Sequence, residues 1–346
     1  MSTDIQLQPP TDGISALSWS CDGSRLLVAS WSGQVDVHDV TNLGEVKPPT
    51  THPTPAAILA ASFSPTNPVL AYTAGLDKRL RQWDFERGQE RVVGKSDEAI
   101  SCMAVVDDGL VFTGGWDGVL RVWDPSAPTP LKESLTLPTK IYSLAYAPTT
   151  RTLIVSMANR KVFVYNLDID ELKRNLSSGQ GGLGKPQQER ESALKFMTRS
   201  VAVMADGQGW ASGSIEGRIA VEYFDTSDAT QAQRYAFRCH RATVDDVDCV
   251  YPINALAYHP THNTFASGGS DKTVSIWDHV GKKRMKQYTG FANEISCLAF
   301  SPDGRYLAIG SSYEHDNGVP QPEERTRIAV QIKTTVMDDC KPKPKA

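Results

Sequence analysis

Apolar and small residues alternate with a period of two in seven short segments along the chain. They read ISALSWSCDG from Ile14, ILAASFSPTN from Ile58, ISCMAVVDDG from Ile100, IYSLAYAPTT from Ile141, TRSVAVMADG from Thr198, INALAYHPTH from Ile253 and ISCLAFSPDG from Ile295. Alternation predicts a strand, and the Pro, Asp, Asn and Gly that close each segment predict a tight turn. A second pattern follows each copy but the last: ASWSGQVDVHD (29–39), AGLDKRLRQWD (74–84), GGWDGVLRVWD (114–124), SMANRKVFVYN (156–166), GSIEGRIAVEY (213–223) and GGSDKTVSIWD (268–278). Each reads as strand, short polar turn, strand. A third apolar or mixed stretch usually precedes the next copy, so each unit predicts a four-stranded antiparallel meander.

Successive copies start 44, 42, 41, 57, 55 and 42 residues apart. One such sheet cannot bury both of its faces, whereas sheets packed radially bury each other. Trp-Asp closes the second pattern at 83–84, 123–124 and 277–278, and degenerates to His38-Asp39, Tyr165-Asn166 and Glu222-Tyr223 elsewhere. This is the signature of a propeller blade of the WD-repeat kind. The expected fold is therefore all-β, a single seven-bladed WD-repeat β-propeller over residues 1–335. The seventh unit ends at its third strand, IAVQIK (328–333), while DIQLQ (4–8) has no unit of its own. The N-terminal strand is expected to complete the last blade and remove an exposed edge. The Gly-, Gln- and Ser-rich stretch 175–192 is expected to be a flexible surface loop, and 336–346 a disordered tail. Polar surplus also falls at 226–233 and 242–248.

Charge changes the picture little. A formal net charge of -4 over 346 residues gives no global basic surplus for nucleic acid, although a local basic patch stays open. The six cysteines are scattered, without a CxxC pair, and read as small buried hydrophobes of a reduced chain. No apolar run is long enough to span a membrane, and MSTDIQLQPP lacks the basic start and apolar run of a signal peptide. The glycosylation sequon at Asn175 reads as chance.

Candidate chemistry is thin. Gly179 to Lys185 spells G-x-x-x-x-G-K, but Pro186 stands where a phosphate-binding loop needs Ser or Thr. His259 and His262 form H-x-x-H without two further ligands in sight, and read as a surface turn. Cys239 beside His240 lacks sequence evidence for a base and reads as an ordinary strand end. The recurring Asp77, Asp117, Asn159, Glu216 and Asp271 read as turn formers, because an active site needs one unique arrangement. No catalytic residue, metal ligand or cofactor is expected.

In such a meander the turn between the second and third strands shares one rim with the connection to the next blade. The residue before the repeated acid therefore faces one end: Trp31, Leu76, Trp116, Ala158, Ile215 and Ser270. Tryptophan at a turn tip either folds back over its own blade or awaits a partner. Arg199, Arg218, Arg238 and Arg241 all fall at this end of the fifth blade. They either bind carboxylate or phosphate or form a solvated surface paired with Glu216 and Glu222.

The stretches SIEGRIAVEYFD (214–225), YAFRCHR (235–241), YPINALAYHPTHNTFASGGSDKTVSIWD (251–278) and LAIGSSY (307–313) resemble the spindle-checkpoint WD-repeat proteins of the Bub family. The messenger-RNA export propellers of the Rae/Gle family are similar too. The resemblance covers all seven repeats, and Val221 to Tyr223 and the tryptophan of GGWDG lean toward the checkpoint family. It implies a non-enzymatic kinetochore adaptor, in the nucleus and at kinetochores in mitosis, with the cytoplasm as the alternative location. Such proteins bind GLEBS segments of a checkpoint kinase and of its Mad-type relative, and phosphorylated Met-Glu-Leu-Thr repeats of a kinetochore scaffold. Carried over by position, Trp31, Trp116, Arg199 and Arg241 would contact the GLEBS segment, and Arg218 and Arg238 the phosphothreonine. The same resemblance implies a propeller that is monomeric within hetero-complexes and contacts neither DNA nor membrane. The alternative is an export propeller at the nuclear pore, binding a nucleoporin GLEBS segment.

Overall fold

The computed structural model describes residues 4–107, 109–179, 182–314, 323, 326–334 and 336–342. Seven four-stranded antiparallel sheets follow one another along the chain, each running in order from an inner to an outer strand. Their inner strands are Ile14–Trp19, Ile58–Phe63, Ile100–Val105, Ile141–Ala147, Thr198–Val203, Ile253–Tyr258 and Ile295–Phe300, the seven predicted segments. Inner strands of successive blades pack side by side, the seventh against the first, around a common axis. The expected propeller is what forms.

Closure is made by three residues. Ile5–Leu7 pairs antiparallel with Ala329–Lys333, in register Ile5 to Ile332 and Leu7 to Val330, as the outer strand of blade 7. Lys333 holds Asp4 at 2.7 Å beside it. Leu7, Val330 and Ile332 then bury against Ile14, Leu26 and Val28 of blade 1. Each of the other six junctions has its own apolar cluster, such as Leu27, Val35, Ile58 and Trp83 between blades 1 and 2. Burying one such side chain is worth about 1.5–3 kcal/mol, so the ring is stabilised junction by junction.

Inside the blades the Trp-Asp ending has a visible purpose. Trp83, Trp123 and Trp277 each donate from Nε1, at 2.8 Å, to Thr73, Thr113 and Ser267 on the neighbouring strand. Where the ending degenerates, other side chains fill the same place. His38 does so in blade 1, fully buried, and burial pushes its pKa down to about 4. Glu222 does so in blade 5, where burial raises its carboxyl above the ordinary value, partly opposed by Arg190 and Arg234.

Two expectations need correction. The stretch 175–192 carries regular structure at both ends. Helix Ile169–Ser178 is capped by the Asp168 carboxylate and closed by Gly179 in the left-handed conformation, and it buries Ile169 and Leu172. Gln188–Glu191 is the outer strand of blade 4, paired with Lys161–Asn166. A polar outer strand shows little alternation, so composition concealed it. The tail departs as well: Val336–Cys340 is a short helix. Val336 and Cys340 are buried against blades 6 and 7, the Thr264 hydroxyl donates to the Cys340 carbonyl at 2.9 Å, and the Tyr288 hydroxyl donates to Asp339 at 2.7 Å. Residues 343–346 of the expected tail lie outside the described residues. The two other polar surpluses form helix Asp228–Gln231 and a hairpin, Arg241–Val244 with Val247–Val250.

Closure predicts that Leu7→Asp, which buries a charge at the last junction, costs at least about 3 kcal/mol in urea unfolding. Gln6→Asp, on the exposed neighbour, should leave the transition in place. The buried histidines predict acid sensitivity. His38 and His259 both have a pKa near 4, lowered by burial, while an unfolded histidine titrates near 6.5. Between these values the unfolded chain holds more protons, so stability falls as pH drops from 6.5 to 4, by up to about 3 kcal/mol per histidine. Denaturation midpoints measured across that window should slope accordingly, and His38→Phe should flatten the slope.

Candidate functional site

Seven backbone hydrogen bonds define one end of the ring. The residue at each turn between the second and third strands donates to the carbonyl just before that blade's inner strand: Trp31 to Gly13, Leu76 to Ala57, Trp116 to Ala99, Ala158 to Lys140, Ile215 to Met197, Ser270 to Pro252 and Ser312 to Glu294. Turn tips and the starts of inner strands therefore share an end, as the meander geometry requires. At that end Trp31 is 47% and Trp116 41% exposed, neither folded into its blade, and Leu76 is exposed between them. Ala158 and Ile215 are half-buried, and Ser270 is buried.

Five exposed apolar side chains at this end were not singled out from the sequence. Phe196 and Met197 precede the inner strand of blade 5, and Val244, Val247 and Val250 lie on the hairpin between blades 5 and 6. The hairpin has an available signal: two alternating arms, ATV and VDCV, around Asp245 and Asp246, which both adopt positive φ.

The arginines meet unevenly. Arg218 opens the third strand of blade 5 and lies directly opposite Arg238 at the end of the fourth. The Glu216 carboxylate approaches Arg218 Nε to 3.6 Å, and Arg241 donates to the Glu216 backbone carbonyl at 3.1 Å. These three form one cluster. Arg199 belongs to the same blade and end, set at the bulge between Thr198 and Ser200, a device that re-aims a side chain. Its guanidinium turns to Glu314, beyond the second strand of blade 7, at 2.9 Å. Of the acids considered as partners, Glu216 is at the rim, whereas Glu222 is buried toward Arg190.

The other candidates resolve into structure. His259 is buried; its Nδ1 accepts from the amides of Thr261 and His262, and its Nε2 donates to the Gly304 carbonyl at 3.0 Å. Both ring nitrogens are thus engaged in holding a turn. Among the described residues no group of three or more His, Cys, Asp or Glu is placed to hold a metal ion. Burial raises the Cys239 thiol far above its ordinary range, which opposes thiolate chemistry. His240, read as an ordinary strand end, is more than that. It bridges Asp271 at 2.8 Å and Ser267 at 2.7 Å, and Ser267 also accepts from Trp277. Asp77 and Asp117 serve similar networks, pairing with the buried Arg81 and Arg121. No helix among the described residues is long and apolar enough to cross a membrane.

Residues 4–39, 46–84, 89–124, 233–278 and 282–319 match the family model described as WD domain, G-beta repeat. Most of blades 4 and 5 escape it, where Tyr165 and Glu222 replace the tryptophan. The chain is 38% identical over 342 residues to Mitotic checkpoint protein BUB3.1 of Arabidopsis thaliana, covering 97% of this chain and 94% of that protein. It is 35% identical over 311 residues to Mitotic checkpoint protein bub3 of Dictyostelium discoideum, covering 90% and 88%. The chain belongs to the BUB3 family. A more distant similarity, 30% over 350 residues and covering 100% and 94%, is to the Poly(A)+ RNA export protein of Schizosaccharomyces pombe. The chain is thus a WD-repeat propeller of a mitotic-checkpoint family, with exposed aromatic and cationic groups gathered at one end of its ring.

Structural and surface roles should separate on mutation. His240→Ala leaves a cavity and removes one hydrogen-bond partner from both Asp271 and the buried Ser267, and should cost about 2–4 kcal/mol in equilibrium unfolding. Trp31→Ala, half exposed, should change stability by under about 1 kcal/mol.

Proposed function

We propose that this protein is a non-enzymatic kinetochore adaptor of the spindle assembly checkpoint, nuclear and recruited to kinetochores in mitosis. Its rim takes GLEBS segments of the checkpoint kinase and of a Mad-type protein through Trp31, Trp116, Arg199 and Arg241. Arg218 and Arg238 take the phosphothreonine of Met-Glu-Leu-Thr repeats in a kinetochore scaffold. The observation that carries this reading is that exposed tryptophans and a cluster of arginines occupy one end of the ring. A tryptophan buries 150–250 Å² of surface when covered, which is why truncating one at an interface is costly. Two guanidiniums opposite each other on paired strands repel, and a phosphate dianion between them relieves that repulsion. Phosphorylation then acts as the switch.

A pull-down from mitotic extract is the first test: wild type recovers the checkpoint kinase, while Trp31→Ala and Trp116→Ala lose it. The second compares phosphorylated with unphosphorylated Met-Glu-Leu-Thr peptide. Arg218→Ala with Arg238→Ala should weaken the phosphopeptide at least about tenfold and leave the other unchanged. Equal binding of both peptides to wild type rejects the reading. The RNA-export relatives favour a second reading, a nucleoporin-binding export propeller. Strong, salt-sensitive RNA affinity distinguishes it, and the net charge of -4 opposes it.

A further inference from the structure

The turn between the second and third strands carries an acid in blades 2, 3, 5 and 6, and in three of them the acid is consumed inside the fold. Asp77 holds the buried Arg81, Asp117 holds the buried Arg121 at 2.8 Å, and Asp271 meets the buried His240 at 2.8 Å. Blade 5 departs from this rule. Its acid is Glu216, one methylene longer, and the position four residues on, which supplies Arg81 and Arg121 in blades 2 and 3, is Ala220. Lacking an internal cation, the carboxylate reaches along the rim to Arg218 at 3.6 Å. Its other oxygen, Oε1, is buried without a hydrogen-bond partner among the described residues. The turn itself is fixed. Gly217 sits at φ 64 with the carbonyls of Cys239, His240 and Tyr251 packed where a Cβ would be, so Glu216 yields by moving its side chain and not its backbone.

We infer that Glu216 sets the affinity threshold of the arginine cluster, a resident carboxylate that sits against Arg218 in the free protein and that an incoming phosphate displaces. This rests on reading Arg218 and Arg238 as the phosphate-binding pair. Three guanidiniums at one corner of the rim would attract any anion, sugar-phosphate chains included. With Glu216 in place, an incoming carboxylate exchanges one monoanion for another and gains little. A phosphate dianion, with three oxygens, engages Arg218 and the opposed Arg238 together and retains a surplus. Glu216 thus weakens every anion by a similar factor, and only the dianion stays above the threshold of useful binding.

The test uses labelled Met-Glu-Leu-Thr peptides carrying phosphothreonine, threonine or glutamate, titrated onto the full chain. Glu216→Gln keeps the length of the side chain and removes its charge. It should bind the phosphothreonine and glutamate peptides about three- to tenfold tighter, the size of a partly screened ion pair, and leave the threonine peptide unchanged. The gain should shrink as ionic strength rises and vanish in combination with Arg218→Ala. Glu216→Asp, which draws the carboxylate back from Arg218, should show a smaller gain and serves if the first variant folds poorly. A Glu216→Gln protein that holds the phosphopeptide no tighter than wild type, or more weakly, overturns the inference. Loss of phosphate dependence in wild type is a separate failure, that of the binding reading. Glu216 is then judged with inorganic phosphate alone, followed at the Arg218 Nε resonance. Tighter binding in Glu216→Gln supports its role and equal binding removes it.

Discussion

A four-stranded sheet has two faces and can bury neither by itself. Every blade here is stable because both neighbours cover it, and seven apolar junctions, one between each pair, supply that cover. Blades 2 to 6 meet it from their neighbours in the chain, but blades 1 and 7 meet it only when the ring closes. The three paired residues Ile5–Leu7, at the far end of the chain from their partners, are what meet it. The rim depends on the same condition, because Trp31, Trp116 and the arginines of blade 5 belong to different sheets and share an end only when the sheets share an axis.

The repeat also explains how function and stability divide the same turn. One position in the turn is structural where its acid finds a partner inside the fold, as at Asp77, Asp117 and Asp271. It becomes a surface feature where the inner partner is lost, as at Glu216 with Ala220 behind it. The residue before that position behaves likewise, buried at Ser270 and exposed at Trp31 and Trp116. A binding face can therefore arise by departures from the repeat at single positions, with the blade architecture left intact.

Most of the fold was legible because its signals are local. Period-two alternation and recurring turn residues mark the inner strands, and the unit missing a strand pointed to residues 4–8. Outer strands were harder: Gln188–Glu191 and Lys283–Tyr288 face solvent and show no clean alternation. The short helix at Val336–Cys340 was missed because its burial is a tertiary event, decided by blades 6 and 7 and invisible in an acidic, lysine-flanked stretch. At the site, turn-tip tryptophans could be placed from the meander alone. The pairing of Arg199 with Glu314, 115 residues away, and the role of His240 in the blade 6 network could not, since each depends on side chains brought together from separate parts of the chain.

The strand that closes the ring has a consequence for biogenesis. Ile5–Leu7 leaves the ribosome well before its partner Ala329–Lys333, with six whole blades synthesised between them. Throughout synthesis the early blades form an open arc, with the apolar flank of blade 1, Leu26 and Val28 among it, uncovered. Long-range closure of this kind is slow, and the uncovered flank is prone to adhere to other chains. A nascent propeller of this design is thus a natural client for chaperones until the strand Ala329–Lys333 emerges.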